Sequence, residues 1–474
     1  MPQIADSETL LTRLAAIVGE RHVITGEADK ARYLSEWRGL YHGRTPAVVR
    51  PGSTAEVAAV LRLASETRTP IVPQGGNTGL VGGQIPDETG HELLVSLERL
   101  DRIRDIDLEG ATMTVEAGVV LERIQGAAEE AGLFFPLALG AQGSCRIGGN
   151  ISTNAGGTGV LSYGNTRSLV LGLEVALPSG EVWNGLRALH KDNAGYDLKQ
   201  LFIGAEGTLG IVTGAVLKLF ARPRGRGVAI VGLASPRHAL ALFRLARERA
   251  GSMLTGFELI GRAGMEFAIR HLPNARDPLA ESHPWYVLVE VSSGRSEADA
   301  QGLLEAVLAA GFEDELLSDA AIAASGEQMA AFWHLRHGLS EVQKHEGASV
   351  KHDVSVAVHL VPDFVERAIA EVTAAVPGCR PIPFGHMGDG NIHFNISQPV
   401  GGAPSSFMAR TADLNRIVHG IIAELHGSIA AEHGIGRSKR DLLREVRSPV
   451  ELDLMRRVKA AIDPLGIMNP GRVL

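Results

Sequence analysis

The chain has 474 residues, a formal net charge of −8, 45% hydrophobic residues and two cysteines. The length predicts about three domains, or two with an appended segment. The acidic balance argues against nucleic acid as the main partner, because phosphate binding requires a basic face. Two cysteines cannot build a disulfide framework or a four-thiolate cluster. Without a long apolar run or a signal-like N-terminus, the sequence predicts a cytoplasmic protein with no membrane span.

The first part of the chain predicts alternating short strands and helices. Ser53 followed by Glu56 is typical of a capped helix start, and the apolar spacing of Val57 and Val60 continues it. A short strand at 70–73 then delivers the glycine loop PQGGNTGLVGG. Further elements are predicted as strands at 47–50, 93–96, 113–117, 169–177 and 212–219 and a helix at 121–131.

The pattern changes after the Pro- and Gly-containing stretch 222–225, which is typical of a domain boundary. Predicted elements beyond it are strands at 228–233, 285–291 and 393–397, an alternating segment at 349–358, and helices at 236–250, 297–310, 327–345, 362–375 and 407–426. We therefore predict domains at 1–222 and 223–420 and a C-terminal segment at 421–474.

Glycine is the compositional outlier at 56 residues, of which five lie within residues 73–83 and eight between 140 and 164. Without Cβ atoms, consecutive amides in PQGGNTGLVGG can turn toward an anion such as a pyrophosphate. The loop is neither a G-x-G-x-x-G turn nor a P-loop. GAQGSCRIGGNISTNAGG and IGAEGTLG repeat the small-residue theme. The alternative is that these are tight turns in a β-rich domain.

Two C-terminal motifs, GHMGDGNIHFN and AEHGIG, contain the ingredients of an open metal site. His386, His393 and a carboxylate suit zinc, and the same set also suits non-haem Fe(II). The glycines around His386 favour a loop over a helix. A strand beyond His393 directs Asn395 to the same side. Glu432 and His433 diverge around the backbone, so one can bind metal while the other faces a substrate.

A small acid also requires cations. Arg336 and Ser340, four residues apart on a predicted helix, share one face. In SVKHDVSVAV the valines take one face of a strand, which places Lys351 on the other. The alternative for Arg336 is a surface ion pair.

The glycine loops, the run LFIGAEGTLGIVTGAVLKL and the closing NPGRV resemble the vanillyl-alcohol-oxidase-type flavoproteins. Together with the two histidine motifs, the resemblance covers nearly the whole chain and points to the FAD-dependent D-2-hydroxyacid dehydrogenases, closest to those acting on D-2-hydroxyglutarate. It implies an α+β fold with a two-part FAD-binding domain, an α+β substrate domain with an antiparallel sheet, and a C-terminal helical segment returning to the FAD domain.

The resemblance also implies site residues. FAD would contact Gly75, Gly76, Asn77, Thr78 and Gly79 at its pyrophosphate and Ser144, Gly148, Asn150, Asn154, Gly157, Ile211 and Asn469 elsewhere. The metal, with zinc favoured, would be bound by His386, His393 and Glu432. His433 would be the general base, and Arg336, Ser340, Lys351 and Asn395 would bind substrate carboxylates. Family members often carry threonine at the position of Ser340. This difference leaves open which length of substrate side chain is preferred. FAD is expected to be non-covalent, because the first loop has no histidine and Cys145 is the only nearby thiol.

The expected reaction is oxidation of a D-2-hydroxyacid, foremost D-2-hydroxyglutarate or D-malate, to the 2-oxoacid by proton abstraction and hydride transfer to the flavin. Electrons would then pass to a further acceptor, with electron-transfer flavoprotein as the family-level expectation, and we expect a homodimer. Three alternatives stay open. They are a D-lactate or glycolate dehydrogenase on the same scaffold, a non-haem metal oxygenase or hydrolase, and a non-catalytic nucleotide-binding module.

Overall fold

The computed structural model describes residues 7–474, which divide into two compact units. Unit 1 contains the described residues up to Gly157, Tyr163–Ala221 and Glu432–Leu474, and unit 2 contains Thr158–Ser162 and Arg222–Ala431. The chain thus leaves unit 1 beside the predicted boundary at 222. It returns at Glu432, beyond the predicted boundary at 420.

The elements before residue 222 alternate as the sequence pattern predicts. The strands are β1 (Val23–Ile24), β2 (Val48–Val49), β3 (Ile71–Gln74), β4 (Leu93–Ser96), β5 (Ile103–Asp107), β6 (Thr112–Glu116), β7 (Leu133–Phe134), β8 (Val170–Ala176), β9 (Val182–Gly185), β10 (Ile211–Lys218) and β11 (Phe220–Ala221). The helices are α1 (Ser7–Val18), α2 (Glu27–Leu34), α3 (Thr54–Thr67), α4 (Leu121–Glu130), α5 (Ile147–Ser152), α6 (Val160–Tyr163), α7 (Thr166–Leu169) and α8 (Lys199–Phe202).

Unit 1 contains two main sheets. The first has the order β1-β2-β4-β3, with parallel pairing of β4 to β2 and β3. The second has the order β5-β6-β10-β8-β9 and is antiparallel. Helix α3 starts as predicted, because the Ser53 side chain accepts a hydrogen bond from the Glu56 amide.

Unit 2 is built on one large sheet. Its strands are β12 (Gly225–Leu233), β13 (Leu254–Gly261), β14 (Trp285–Ser293), β15 (Asp319–Ile322), β16 (Ser349–Ser355), β17 (Arg380–His386) and β18 (Asn391–Ser397), in the order β15-β12-β14-β13-β17-β18-β16. Its helices are α9 (Pro236–Ala250), α10 (Arg262–His271), α11 (Glu297–Glu313), α12 (Gly326–Val342), α13 (Val361–Ala375), α14 (Pro404–Met408) and α15 (Thr411–Glu424). Helices α16 (Arg440–Val446) and α17 (Pro449–Ile462) follow in unit 1.

Every pairing in the unit 2 sheet is antiparallel. One face packs against α10 and α12 through a core that includes Ile260, Leu339 and Phe384. The opposite face packs against α9 and α13, where Phe364 of α13 meets Phe394 of β18 edge-on. The α+β class with an antiparallel second sheet is therefore confirmed.

One element prediction was wrong, and three strands of the unit 2 sheet, β13, β15 and β17, were not predicted. The continuous helix predicted at 407–426 is divided into α14 and α15, and at the break the Thr411 hydroxyl donates to the Met408 carbonyl (2.6 Å) in competition with the helical ladder. Strand β17 was not predicted because Pro381 and Pro383, which cannot donate to a ladder, are unusual in a central strand.

Candidate active site

Unit 1 contains an open cleft of about 850 Å³ lined by all three glycine loops. Nine of the predicted cofactor residues line it, namely Gly75, Gly76, Asn77, Thr78, Gly79, Gly148, Asn150, Ile211 and Asn469. Among the described residues, Ser144, Asn154 and Gly157 are not in this lining. Asn154 instead accepts a hydrogen bond from the Arg167 amide (2.9 Å), which stabilises its left-handed turn.

The first loop is held against the second by close backbone approach. A Cβ atom at Gly76 would lie 2.2 Å from the Ser144 carbonyl oxygen, so only glycine fits there. Asn77 adopts a left-handed conformation and donates its side-chain amide to the Ser35 carbonyl (2.9 Å). This side chain therefore supports the loop, and the Asn77 backbone is what remains to face a ligand.

The cleft carries buried acceptors that suit a cofactor rich in N–H and O–H donors. Asn150 Oδ1 and Asn469 Oδ1 are buried and have no hydrogen-bond partner within residues 7–474. The Asn469 amide nitrogen donates to the carbonyls of Gly83 (3.1 Å) and Glu206 (2.8 Å), which fixes the direction of that oxygen. A Cβ atom at Gly149 would meet nothing within 4 Å. The residues present thus fit a flavin nucleotide.

The AEHGIG motif is anchored to the glycine loops by Glu206, a residue that sequence reasoning missed. The Glu206 carboxylate accepts hydrogen bonds from the amides of Ile435 (2.7 Å) and Gly436 (2.8 Å). Desolvation raises the pKa of Glu206 above its usual range, against the opposing effect of these two amides. His433, two residues before Ile435, lines the same cleft.

Glu432 and Cys145 are two further side chains near the cleft. One oxygen of Glu432, the predicted metal ligand of unit 1, accepts a hydrogen bond from the Gly157 amide (2.7 Å). Cys145 lines the cleft as a buried free thiol, and desolvation by burial raises its pKa. A protonated thiol is a poor nucleophile.

In unit 2 the two predicted metal-binding histidines lie on adjacent strands. His386 ends β17 and His393 lies within β18, so the loop between them is a tight hairpin turn. Their ring centroids are 5.7 Å apart. Two neighbouring imidazoles on one sheet face can supply two ligands of a metal site.

A buried charge network supports this histidine pair. Glu258 on β13 accepts hydrogen bonds from His386 Nδ1 and Arg336 Nε, each at 2.7 Å, and all three side chains are buried. Burial alone would raise the pKa of Glu258, but the charges of His386 and Arg336 and their hydrogen bonds lower it to about 2. Arg336 also lies over the Phe384 ring, 5.0 Å from its centroid.

The remaining predicted substrate residues are neighbours of this network on the same sheet face. Lys351 of β16 is the register partner of Asn395 on β18, and Lys351 Nζ donates to the Ser340 carbonyl (3.1 Å). Asp353 of β16 lies 3.8 Å from His393 Nδ1. The structure thus brings Arg336, Ser340, Lys351 and Asn395 to one side of unit 2, with polar atoms supplied by three different elements.

Sequence reasoning missed Glu258 and Asp353. Glu258 is the acid in TGFELIG, a run that is otherwise apolar and small. A lone acid in a buried strand requires a partner, and that signal could have identified it. Asp353 belongs to the alternating segment, two residues after Lys351, and was not identified as a site residue.

Comparison with known proteins agrees with this architecture. Residues 45–185 match the model of an FAD binding domain, and residues 222–473 match the C-terminal domain of FAD linked oxidases. The chain is 39% identical to the "Probable D-2-hydroxyglutarate dehydrogenase, mitochondrial" of Oryza sativa subsp. indica, covering 97% of this chain and 80% of that protein. It is also 39% identical to the D-2-hydroxyglutarate dehydrogenase of Xanthomonas citri pv. viticola, covering 95% and 93%.

The chain belongs to the D-2-hydroxyglutarate dehydrogenase family of FAD-linked oxidases. This family member is therefore an FAD-dependent oxidoreductase. Its fold matches that of 4-ethylphenol oxidase from Gulosibacter chungangensis with a TM-score of 0.76 at 20% identity, covering 99% and 97% of the two chains. The predicted vanillyl-alcohol-oxidase-type fold is confirmed. No helix among residues 7–474 is long and apolar enough to cross a membrane.

Proposed function

We propose that this family member oxidises a D-2-hydroxyacid bearing two carboxylates, foremost D-2-hydroxyglutarate and then D-malate, to the 2-oxoacid. The observation that carries the proposal is that His433 lines the same cleft of unit 1 as the three glycine loops. A titratable base beside a flavin cradle is what dehydrogenation of an alcohol requires, because the hydroxyl proton must leave as the hydride departs.

The cofactor, the metal and the site residues have different proposed roles. When bound, FAD accepts the hydride from C2, and a divalent metal, zinc in the first instance, withdraws electron density from the substrate oxygens. His433 takes the hydroxyl proton on its imidazole. His386, His393 and Glu432 would bind the metal, and the Gly157 amide would keep the Glu432 carboxylate oriented.

Two cations on one face of the unit 2 sheet favour a dicarboxylate. Arg336 approaches from α12 and Lys351 from β16. Ser340 and Asn395 are neighbours of Lys351 and would complete the binding of the substrate's second carboxylate. A monocarboxylate such as D-lactate or glycolate would offer only one of these cations a substrate carboxylate, at a cost in affinity.

The test is an anaerobic titration of the purified yellow protein with D-2-hydroxyglutarate, D-malate, D-lactate and glycolate, followed by the visible flavin spectrum. We expect the diacids to bleach the flavin fastest, and chelator treatment to slow bleaching until Zn²⁺ is restored. Fastest bleaching by D-lactate or glycolate would transfer the proposal to those acids. A colourless protein would favour the oxygenase or hydrolase alternative.

Three further points belong to the proposal. The electron acceptor would be an electron-transfer flavoprotein, testable by reoxidation of the reduced enzyme in its presence. The enzyme would be a homodimer, testable by light scattering. It would reside in the cytoplasm, a location that the two buried, unbridged cysteines support. Fractionation of the source cells tests this last point.

A further inference from the structure

Glu258 of unit 2 contacts both a proposed metal ligand and a proposed substrate cation. Its side chain is 2% exposed, and its two oxygens are divided between different elements. Oε1 accepts a hydrogen bond from His386 on β17, and Oε2 accepts one from Arg336 on α12. A buried ion pair of this kind contributes little net stability compared with apolar packing, so its presence in the sheet calls for another explanation.

We propose that Glu258 is a positioning residue that orients His386 toward a metal ion and Arg336 toward a substrate carboxylate at the same time. This inference rests on the proposed function, because it takes His386 as a metal ligand and Arg336 as a carboxylate-binding residue. It adds a coupling between the two that neither assignment contains.

The orientation of His386 follows from which of its ring nitrogens contacts the Glu258 carboxylate. Because the Glu258 carboxylate accepts a hydrogen bond from His386 Nδ1, Nε2 is the ring nitrogen left to bind a metal ion. Metal-binding histidines commonly donate their second N–H to a carboxylate, which fixes ring orientation and raises ligand basicity. Glu258 therefore holds His386 in the form that binds metal.

The orientation of Arg336 follows from the guanidinium donors that Glu258 does not bind. Glu258 uses Arg336 Nε, while Arg336 Nη2 is buried and has no hydrogen-bond partner in the part of the chain that the structure describes. A buried donor without a partner is destabilising. A planar guanidinium fixed at Nε keeps its other nitrogens in a set direction, and a carboxylate is the acceptor that matches this geometry.

The test compares Glu258→Gln with wild type in FAD-loaded protein from which metal has been removed. Zn²⁺ affinity is measured by competition with a chromophoric chelator, and KM and kcat are then measured with D-2-hydroxyglutarate. We expect Zn²⁺ affinity to fall about 10–100-fold, the usual effect of losing such a partner. We also expect KM to rise in zinc-saturated protein, which a purely structural role would not cause.

Glu290→Gln is the matched control. Glu290 is also a buried glutamate of the same sheet, on the adjacent strand β14, and it accepts a hydrogen bond from Trp333 of α12 (2.8 Å). Its side-chain hydrogen-bond partners within residues 7–474 are Arg226, Thr255 and Trp333, and do not include His386 or Arg336, so Zn²⁺ affinity and KM should stay at wild-type values. Equal Zn²⁺ affinity and KM in Glu258→Gln and Glu290→Gln would overturn the inference.

A third variant, His386→Ala, separates this inference from the proposed function. Loss of Zn²⁺ binding in His386→Ala but not in Glu258→Gln overturns the Glu258 inference alone. Unchanged Zn²⁺ binding in His386→Ala overturns the metal site itself. Should Glu258→Gln fail to fold, the imidazole ¹⁵N shifts of His386 in metal-free wild type decide, since a proton on Nδ1 is expected whether or not Nε2 is also protonated, and a neutral Nε2–H tautomer contradicts the inference.

Discussion

The cleft of unit 1 and the sheet face of unit 2 are two different kinds of binding surface. The cleft is made by loops whose glycines bring backbone amides to the surface, with asparagine oxygens as the buried acceptors. The sheet face is made by charged side chains on strands and a helix, held by buried hydrogen bonds such as those of Glu258. Added atoms should therefore damage the cleft, whereas removed charges should damage the sheet face.

The largest effect is expected at His433, a titratable side chain in a surface otherwise dominated by backbone. His433→Ala should retain FAD but reduce the rate of flavin reduction by substrate about 10²–10⁴-fold, the usual contribution of a general base. Stopped-flow absorbance under anaerobic conditions measures this. His91→Ala, an exposed histidine of unit 1 away from the cleft lining, is the control and should behave as wild type. Bleaching at the wild-type rate would exclude His433 as the base.

The next effect concerns charge removal in unit 2. Arg336→Ala should weaken diacid binding by about 1.5–3 kcal/mol, the typical loss of a hydrogen bond to a charged group. It should also destabilise the protein, because Glu258 is left buried without this partner. Half-saturation of the steady-state rate and the thermal midpoint are the two measurements. Arg416→Ala, at an exposed pair with Asp413, should change neither. Half-saturation unchanged for every diacid would remove Arg336 from the substrate site.

Adding one methyl group to the cleft tests whether added atoms damage this surface. Gly76→Ala would place a Cβ atom 2.2 Å from the Ser144 carbonyl oxygen, so the loops must separate. We expect a loss of about 1–3 kcal/mol in the free energy of unfolding, as in other overpacked sites, together with weaker FAD retention. Gly126→Ala in α4, where a Cβ meets nothing within 4 Å, should instead stabilise slightly. Equal melting curves for Gly76→Ala and wild type would show that the loops are not held by this contact.

The smallest effect is a pH dependence in unit 2 at Glu346. Burial raises the pKa of this carboxyl, but hydrogen bonds from His271, Arg380 and Arg270 outweigh it and lower the pKa to about 2. Because the folded-state pKa is depressed, the stabilisation is present above the unfolded pKa of 4.5 and is lost as pH falls toward 2.

At neutral pH we therefore expect Glu346→Gln to unfold about 2 kcal/mol more easily than wild type, after allowance for solvent screening. The difference, followed by denaturant unfolding across the acid range, should shrink as pH falls below about 4. A difference that stays constant with pH would mean that the Glu346 charge does not stabilise the fold.

The sequence predicted the regular parts of the fold because local rules govern them. Helix α9 at Pro236–Ala250 and strand β4 at Leu93–Ser96 have the predicted bounds, since capping and apolar periodicity are local signals. Strand β17 was missed because Pro381 and Pro383 contradict local strand propensity, and only pairing with β13 and β18 makes it a strand.

The site divides in the same way. Glycine loops identify a cofactor cradle from sequence, because close backbone approach requires glycine locally. The sequence could mark Glu258 as an acid that requires a partner but could not identify the partners, since Arg336 and His386 lie 78 and 128 residues away along the chain. A buried charge has a role only through its partners, and those are set by sheet register.

The hydrogen bonds from Asn469 to the carbonyls of Gly83 and Glu206 have a consequence for biosynthesis. The ribosome releases all three glycine loops early, yet the polar end of the cradle is finished only when residues 432–474 emerge, after the whole of unit 2 has been translated. Stable flavin capture should therefore mark a completed polypeptide, and chains arrested within unit 2 should be isolated without the yellow chromophore.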